Sequence, residues 1–315
     1  MDFFEDIRQQ VLAMLPLKPQ EATALAAMDA HALLTLYLNW RARFIPVRPR
    51  TVHKAAALSV NPLASDPAYK PALEQIISSL EAGDDLTRYL SKGIKHVYHM
   101  PSGRHLDLLL NDWGIHHLHL STTVEPDGFV RRTKPLLVAA FRQDDAYLID
   151  ILPHGAWTKE SMIRTIVQEW PDAGLVTRLG GVIGLEFPIS EQQRAGLRKV
   201  HIMPFVEIDG AVYAASGGVM LSGVSSQHAS ASNSLLRQAR RIEEEIRQSP
   251  KIIIDALRNA GITPPAELGL HFMFRNDGGY IIMEKNTNTL MSWLTLGHGS
   301  LHVSVQCSLA RKCSV

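Results

Sequence analysis

Three histidines pose the chemical question: His117, His119 and His154. Half of the 14 histidines of the chain fall between His96 and His154. Imidazole is the side chain that titrates near neutral pH. RNA cleavage without a metal needs a base for the 2′-hydroxyl proton and an acid for the leaving oxygen. It also needs cations for the charge that develops on the phosphoryl oxygens. Imidazoles that titrate near about 6.5 can supply the first two roles, each contributing about 10²–10⁴-fold. The candidate catalytic set is therefore His117, His119 and His154 with Arg132 as the cation. Arg131, Lys134 and Trp157 are candidate substrate-binding neighbours. This reading calls for no metal and no cofactor.

A second basic stretch comes earlier. Arg41, Arg43, Arg48 and Arg50 are followed by His53 and Lys54, with no acidic residue among them. Pro46 and Pro49 hold it extended. It reads as a phosphate-contacting arm, or else as a linker whose arginines clamp neighbouring carboxylates.

Other chemistries compete. His117 and His119, two apart on a strand, suit a zinc ion with Asp150 or His154 as a further ligand. No cysteine lies near them and no HExxH occurs. His119-Leu-Ser121 and His302-Val-Ser304 have the His-x-Ser form found in two-histidine phosphoesterases. The Gly180-Gly181 and Gly217-Gly218 pairs lack the spacing of a nucleotide-binding loop. Glu284 reads as a solvated or capping charge rather than a nuclease carboxylate.

The elements around these residues follow from periodicity. Residues 115–120 alternate as a strand, with Ile115, His117 and His119 on one face and His116, Leu118 and Leu120 on the other. That spacing puts His117 and His119 about 7 Å apart. Residues 136–141 and 146–152 read as two more strands of an antiparallel meander. Thr158 reads as the cap of a helix carrying Met162, Ile163 and Ile166. Residues 2–15 and 20–41 predict two helices in a hairpin, 69–82 a helix ended by Gly83, and 101–105 a loop. Asp209-Gly210 and Asn276-Asp277-Gly278-Gly279 predict hairpin turns. The Gly- and Ser-rich stretch 216–234 reads as mobile, with helices at 233–248 and 250–260. The expected organisation is α+β: residues 1–60 a helical hairpin with the basic arm, 61–172 a meander domain with helices, 195–294 a small α+β domain, and 295–315 an unassigned tail.

Composition narrows the partners. Net charge is +1, with 46% apolar and 20% charged residues, so any nucleic-acid site must be a local patch. The two cysteines, Cys307 and Cys313, do not form a disulfide framework, which fits a reducing cytoplasm. No signal peptide is apparent and no apolar run is long enough for a membrane span.

The order of helices, strand, loop, basic patch, two antiparallel strands and a terminal histidine resembles the RelE/HigB-like toxin fold. The matching residues are about 69–170. His117-Leu-His-Leu120 is similar to the first core strand, the run from Arg132 to Phe141 to the arginine-led second, and the run from Tyr147 to His154 to the third. The resemblance implies RNA cleavage or RNA binding in a bacterial toxin or phage-defence setting, with a protein antitoxin or regulator as partner. Arg131, Arg132, Lys134, His154 and Trp157 are the residues it can be carried onto. Two further readings are a docking module without catalysis and a His-ligated metal-dependent hydrolase.

Overall fold

The computed structural model describes residues 1–97, 107–215, 217–275, 279–295 and 301–308. The protein is mixed α+β. In chain order the elements are helices α1 (Phe3–Met14), α2 (Pro19–Ala26) and α3 (Ala30–Arg41), strand β1 (Thr51–Lys54), helices α4 (Ala56–Val60), α5 (Pro62–Ser65), α6 (Lys70–Ala82) and α7 (Leu108–Trp113), and strands β2 (Ile115–His119), β3 (Pro135–Phe141) and β4 (Asp145–Pro153). Then come α8 (Glu160–Glu169), β5 (Val176–Arg178), α9 (Glu191–Lys199), β6 (Val206–Ile208), β7 (Ala211–Ala215), α10 (Ser226–Gln248), α11 (Lys251–Asn259), β8 (Leu270–Phe274), β9 (Tyr280–Glu284), β10 (Thr289–Thr295) and β11 (Leu301–Ser308).

The chain divides into two units, residues 38–229 and residues 1–37 with 230–315. Both crossings fall inside helices, α3 and α10, where no Pro- or Gly-rich linker marks them. The boundaries expected near residues 60 and 172–195 lie within the first of these units.

In the unit 38–229 the sheet order is β1-β4-β3-β2. β2, β3 and β4 form the expected antiparallel meander. β1 adds to it in parallel, with Thr51 opposite Asp145 and Lys54 opposite Leu148. Alternation along the strands builds two cores. Leu118, Leu137 and Leu148 pack with Leu58, Ile76, Leu80 and Tyr89 on one face. Ile115, Val138 and Ile149 pack with Leu109, Trp113, Met162 and Ile166 on the other. The helix 70–82 ends as expected at Gly83, which adopts φ 82°. Thr158 does not cap α8; Lys159 occupies the N-cap position, without a side-chain hydrogen bond there.

The stretch read as mobile is structured where it is described. Gly218 N–H donates to Asn111 O, Asn111 donates to Gly223 O, and α10 begins at Ser226. A small sheet of order β5-β7-β6 includes the Asp209-Gly210 hairpin, whose φ values of 51° and 75° match the left-handed turn expected there.

In the other unit the strands run β11-β10-β9-β8. α1 lies against β8: Asp6 accepts from Phe272 N–H at 2.9 Å, and the Phe3 and Phe272 rings are 5.4 Å apart. The helix expected at 20–41 is broken at 27–29, so α2 and α3 replace it. The tail left unassigned supplies β11, paired with β10. The 101–105 loop, most of the Asn276–Gly279 turn and Cys313 lie outside the described residues.

Candidate functional site

The site begins at the corner between α7 and β2. Asp107 caps α7, its Oδ1 accepting from Leu110 N–H at 3.0 Å. The helix stops after six residues at Gly114, whose φ of 69° is left-handed, and β2 starts at once. This tight corner carries Asp107 back to the strand. Asp107 Oδ2 stands 3.6 Å from His117 Nδ1, and His117 Nδ1 has no hydrogen-bond partner among the described residues.

The second imidazole arrives from the far end of the meander. Lys134 O accepts from His154 N–H at 2.8 Å just past the end of β4. Gly155, at φ 98°, turns the chain, and Trp157 follows. The indole touches both imidazoles, with ring centroids 5.0 Å from His117 and 5.1 Å from His154. His117, His154, Trp157 and Asp107 line a cavity of about 570 Å³, together with Arg43, His116 and the α9 cations Arg198 and Lys199. Lys199 is exposed and makes no ion pair among the described residues.

Arg198 holds this corner together. It is 4% exposed and donates to Asp112 Oδ2 from Nε at 2.8 Å and Nη2 at 2.5 Å. Its Nη1 donates to Trp157 O, and its guanidinium lies 4.5 Å from the Trp113 ring centroid. Burial pushes the Asp112 carboxyl up, and the charge of Arg198 opposes that.

The structure does not put every expected residue in the cavity. His119 is 2% exposed, and its Nδ1 accepts from Thr133 N–H at 3.1 Å. Burial, with the nearby charges of His117, Arg132 and His154, pushes it down to about 4. It is a neutral interior acceptor that fixes the 131–134 loop, and it does not line the cavity. His116, not expected to take part, does line it. Its Nε2–H reaches Ala42 O at 3.2 Å, and burial holds it at about 4.

Arg131, Arg132 and Lys134 are exposed and form no ion pair among the described residues. They make a basic strip on the loop that precedes β3, outside the cavity lining.

The arm from Arg41 to Lys54 is not an exposed extended arm. Its end is strand β1. Arg50 is 6% exposed and donates to the carbonyls of Pro46, Arg48 and Arg142. Arg48 sits 3.6 Å from Asp144. Arg41 is exposed at the end of α3. Only Arg43 of the four reaches the cavity; it donates to His96 O at 3.2 Å, and burial lowers it to about 10 against the pull of Asp107.

No three His, Cys, Asp or Glu side chains among the described residues are placed to share a metal ion. The two His-x-Ser copies belong to different units. Glu284 is a capping charge: it is fully buried and accepts from Gly269 N–H at 2.9 Å and Thr287 N–H at 2.7 Å. No helix among the described residues is long and apolar enough to cross a membrane. The chain matches no family model, and no curated protein and no solved structure shows significant similarity to it.

Proposed function

We propose that the unit 38–229 is a metal-independent endoribonuclease. The observation that carries this is the pair His117 and His154, both in contact with Trp157 at one cavity that Asp107, Arg43 and Lys199 also line. One imidazole takes the proton from a ribose 2′-hydroxyl as that oxygen attacks phosphorus. The P–O5′ bond breaks, and the other imidazole gives its proton to the departing 5′-oxygen. The products are a 2′,3′-cyclic phosphate and a 5′-hydroxyl end. Asp107 orients His117 by attracting its Nδ1–H. Lys199 and Arg43 stabilise the charge that develops on the phosphoryl oxygens.

The RelE/HigB resemblance supports the same reading and suggests a toxin or phage-defence setting with a protein antitoxin or regulator. The exposed strip Arg131, Arg132 and Lys134 supports RNA contact next to His154. Single alanine substitutions at His117 and His154, assayed for cleavage of unstructured RNA, are the test. Each is expected to lose about 10²–10⁴-fold in rate. Unchanged cleavage in both would rule the proposal out.

The basic strip also favours a second reading, a docking module that binds RNA without cutting it. It predicts binding that weakens steeply with salt and no turnover.

A further inference from the structure

We infer that the cavity receives a single unstacked nucleotide, so that the substrate is single-stranded RNA and not a duplex; this rests on the proposed reading of the site as RNA-directed. Three observations meet here. The volume, about 570 Å³, is in the range of about 300–1,000 Å³ that small-molecule sites occupy. It suits one nucleotide and not a helix of stacked pairs. The lining is divided in character. Trp157, Leu90, Ile94 and Leu109 supply an aromatic and aliphatic part, while Arg43 and Lys199 supply positive charge. A base and its phosphate have the same two halves. The strip Arg131, Arg132 and Lys134 lies outside the cavity on the loop whose Lys134 carbonyl accepts from His154 N–H. A strand running along that strip keeps its backbone in contact with cations while one base leaves the stack.

Single strands are recognised in this way because an unpaired base offers its face to an aromatic side chain at little cost. A duplex must first break a pair and a stack. Trp157 is therefore assigned as the stacking residue and the source of the preference. Its main chain is held by Arg198 through Trp157 O, and its ring is flanked by His117 and His154.

The experiment measures anisotropy of a short fluorescent 2′-O-methyl RNA, which cannot be cleaved, bound to the full chain. The same strand annealed to its complement is the comparison, and adenosine 5′-monophosphate is the competitor. The single strand is expected to bind at least about tenfold more tightly than the duplex, with competition by the mononucleotide. Trp157→Ala should weaken single-strand binding by about tenfold to a hundredfold, the range one stacked base confers, and leave duplex binding unchanged. Trp157→Phe should retain most of the preference, which separates stacking from a folding defect. Equal affinity for the two forms, or a preference untouched in Trp157→Ala, would overturn the inference. Cleavage of ordinary RNA by the wild type without such a preference sinks this inference alone. A preference without any cleavage supports it and sinks the nuclease proposal.

Discussion

Asp107 and His117 form a carboxylate–imidazole pair across the α7–β2 corner, with 3.6 Å between Oδ2 and Nδ1. The other carboxylate oxygen is committed to capping the helix. One side chain thus sets both the start of α7 and the orientation of the imidazole. Asp107→Asn keeps an N-cap acceptor, since Asn caps helices as well as Asp, and removes the charge. Cleavage should fall about tenfold or more with the melting temperature nearly unchanged. A pH–rate profile identical to the wild type would show that Asp107 does not act through His117.

Arg198 and Asp112 are both buried and hydrogen-bonded to each other. Arg198→Met leaves a carboxyl in the interior without its partner. Urea unfolding should show a loss of about 3–5 kcal/mol. The double variant Arg198→Met with Asp112→Leu should recover much of that loss, because apolar residues of similar size often replace a buried pair at little cost. A double variant as unstable as the single one would mean that the contact of Arg198 with Trp157 O, and not the ion pair, carries the stability.

The meander was legible because each strand is bounded by turn residues and alternates cleanly, and the placement of His117 on the Ile115 face follows from that alternation alone. β1 was hidden: Thr-Val-His-Lys is too short and too polar to read as a strand until it is paired in parallel with β4. α9 was hidden for a different reason. Its inward positions are Arg194 and Arg198, so an apolar stripe is absent although both residues are buried. Asp107 carried no signal beyond being a turn-forming acid. His119 shows the limit of periodicity, which gave the correct face but not the depth or the hydrogen bond that neutralises its role.

Acid should destabilise the unit 38–229 through its buried imidazoles. His116, His119 and His228 are each held at about 4 by burial, against an ordinary value of 6.5. As pH falls the unfolded chain takes up these protons first. Their contribution is complete above about pH 6.5, is lost between about 6.5 and 4, and is constant below that. Each histidine adds at most about 1.4 kcal/mol per pH unit to the slope. Urea midpoints measured from pH 7 to 4 should fall, and less steeply in His119→Asn. A flat profile would contradict the burial assigned to these rings.

Two glycines at the site corner should respond differently to alanine. A Cβ at Gly217 would overlap the backbone oxygens of Asn111 and Asp112, whereas one at Gly114 would meet nothing within 4 Å. Gly217→Ala must displace α7 and should cost more than about 2 kcal/mol. Gly114→Ala is strained only by its φ of 69°, at about 1 kcal/mol. Thermal melts of the two variants give the order, and the reverse order would mean that the 217–225 segment is not seated on α7.

Metal-independent cleavage by His117 and His154 is tested most directly by the chemistry of the RNA ends, determined after incubation with wild type, His117→Ala and His154→Ala in the presence of a chelator. The wild type should leave 2′,3′-cyclic phosphate and 5′-hydroxyl ends, and both variants should lose them. Wild-type products with 3′-hydroxyl and 5′-phosphate ends, or cyclic ends persisting in both variants, would contradict that mechanism.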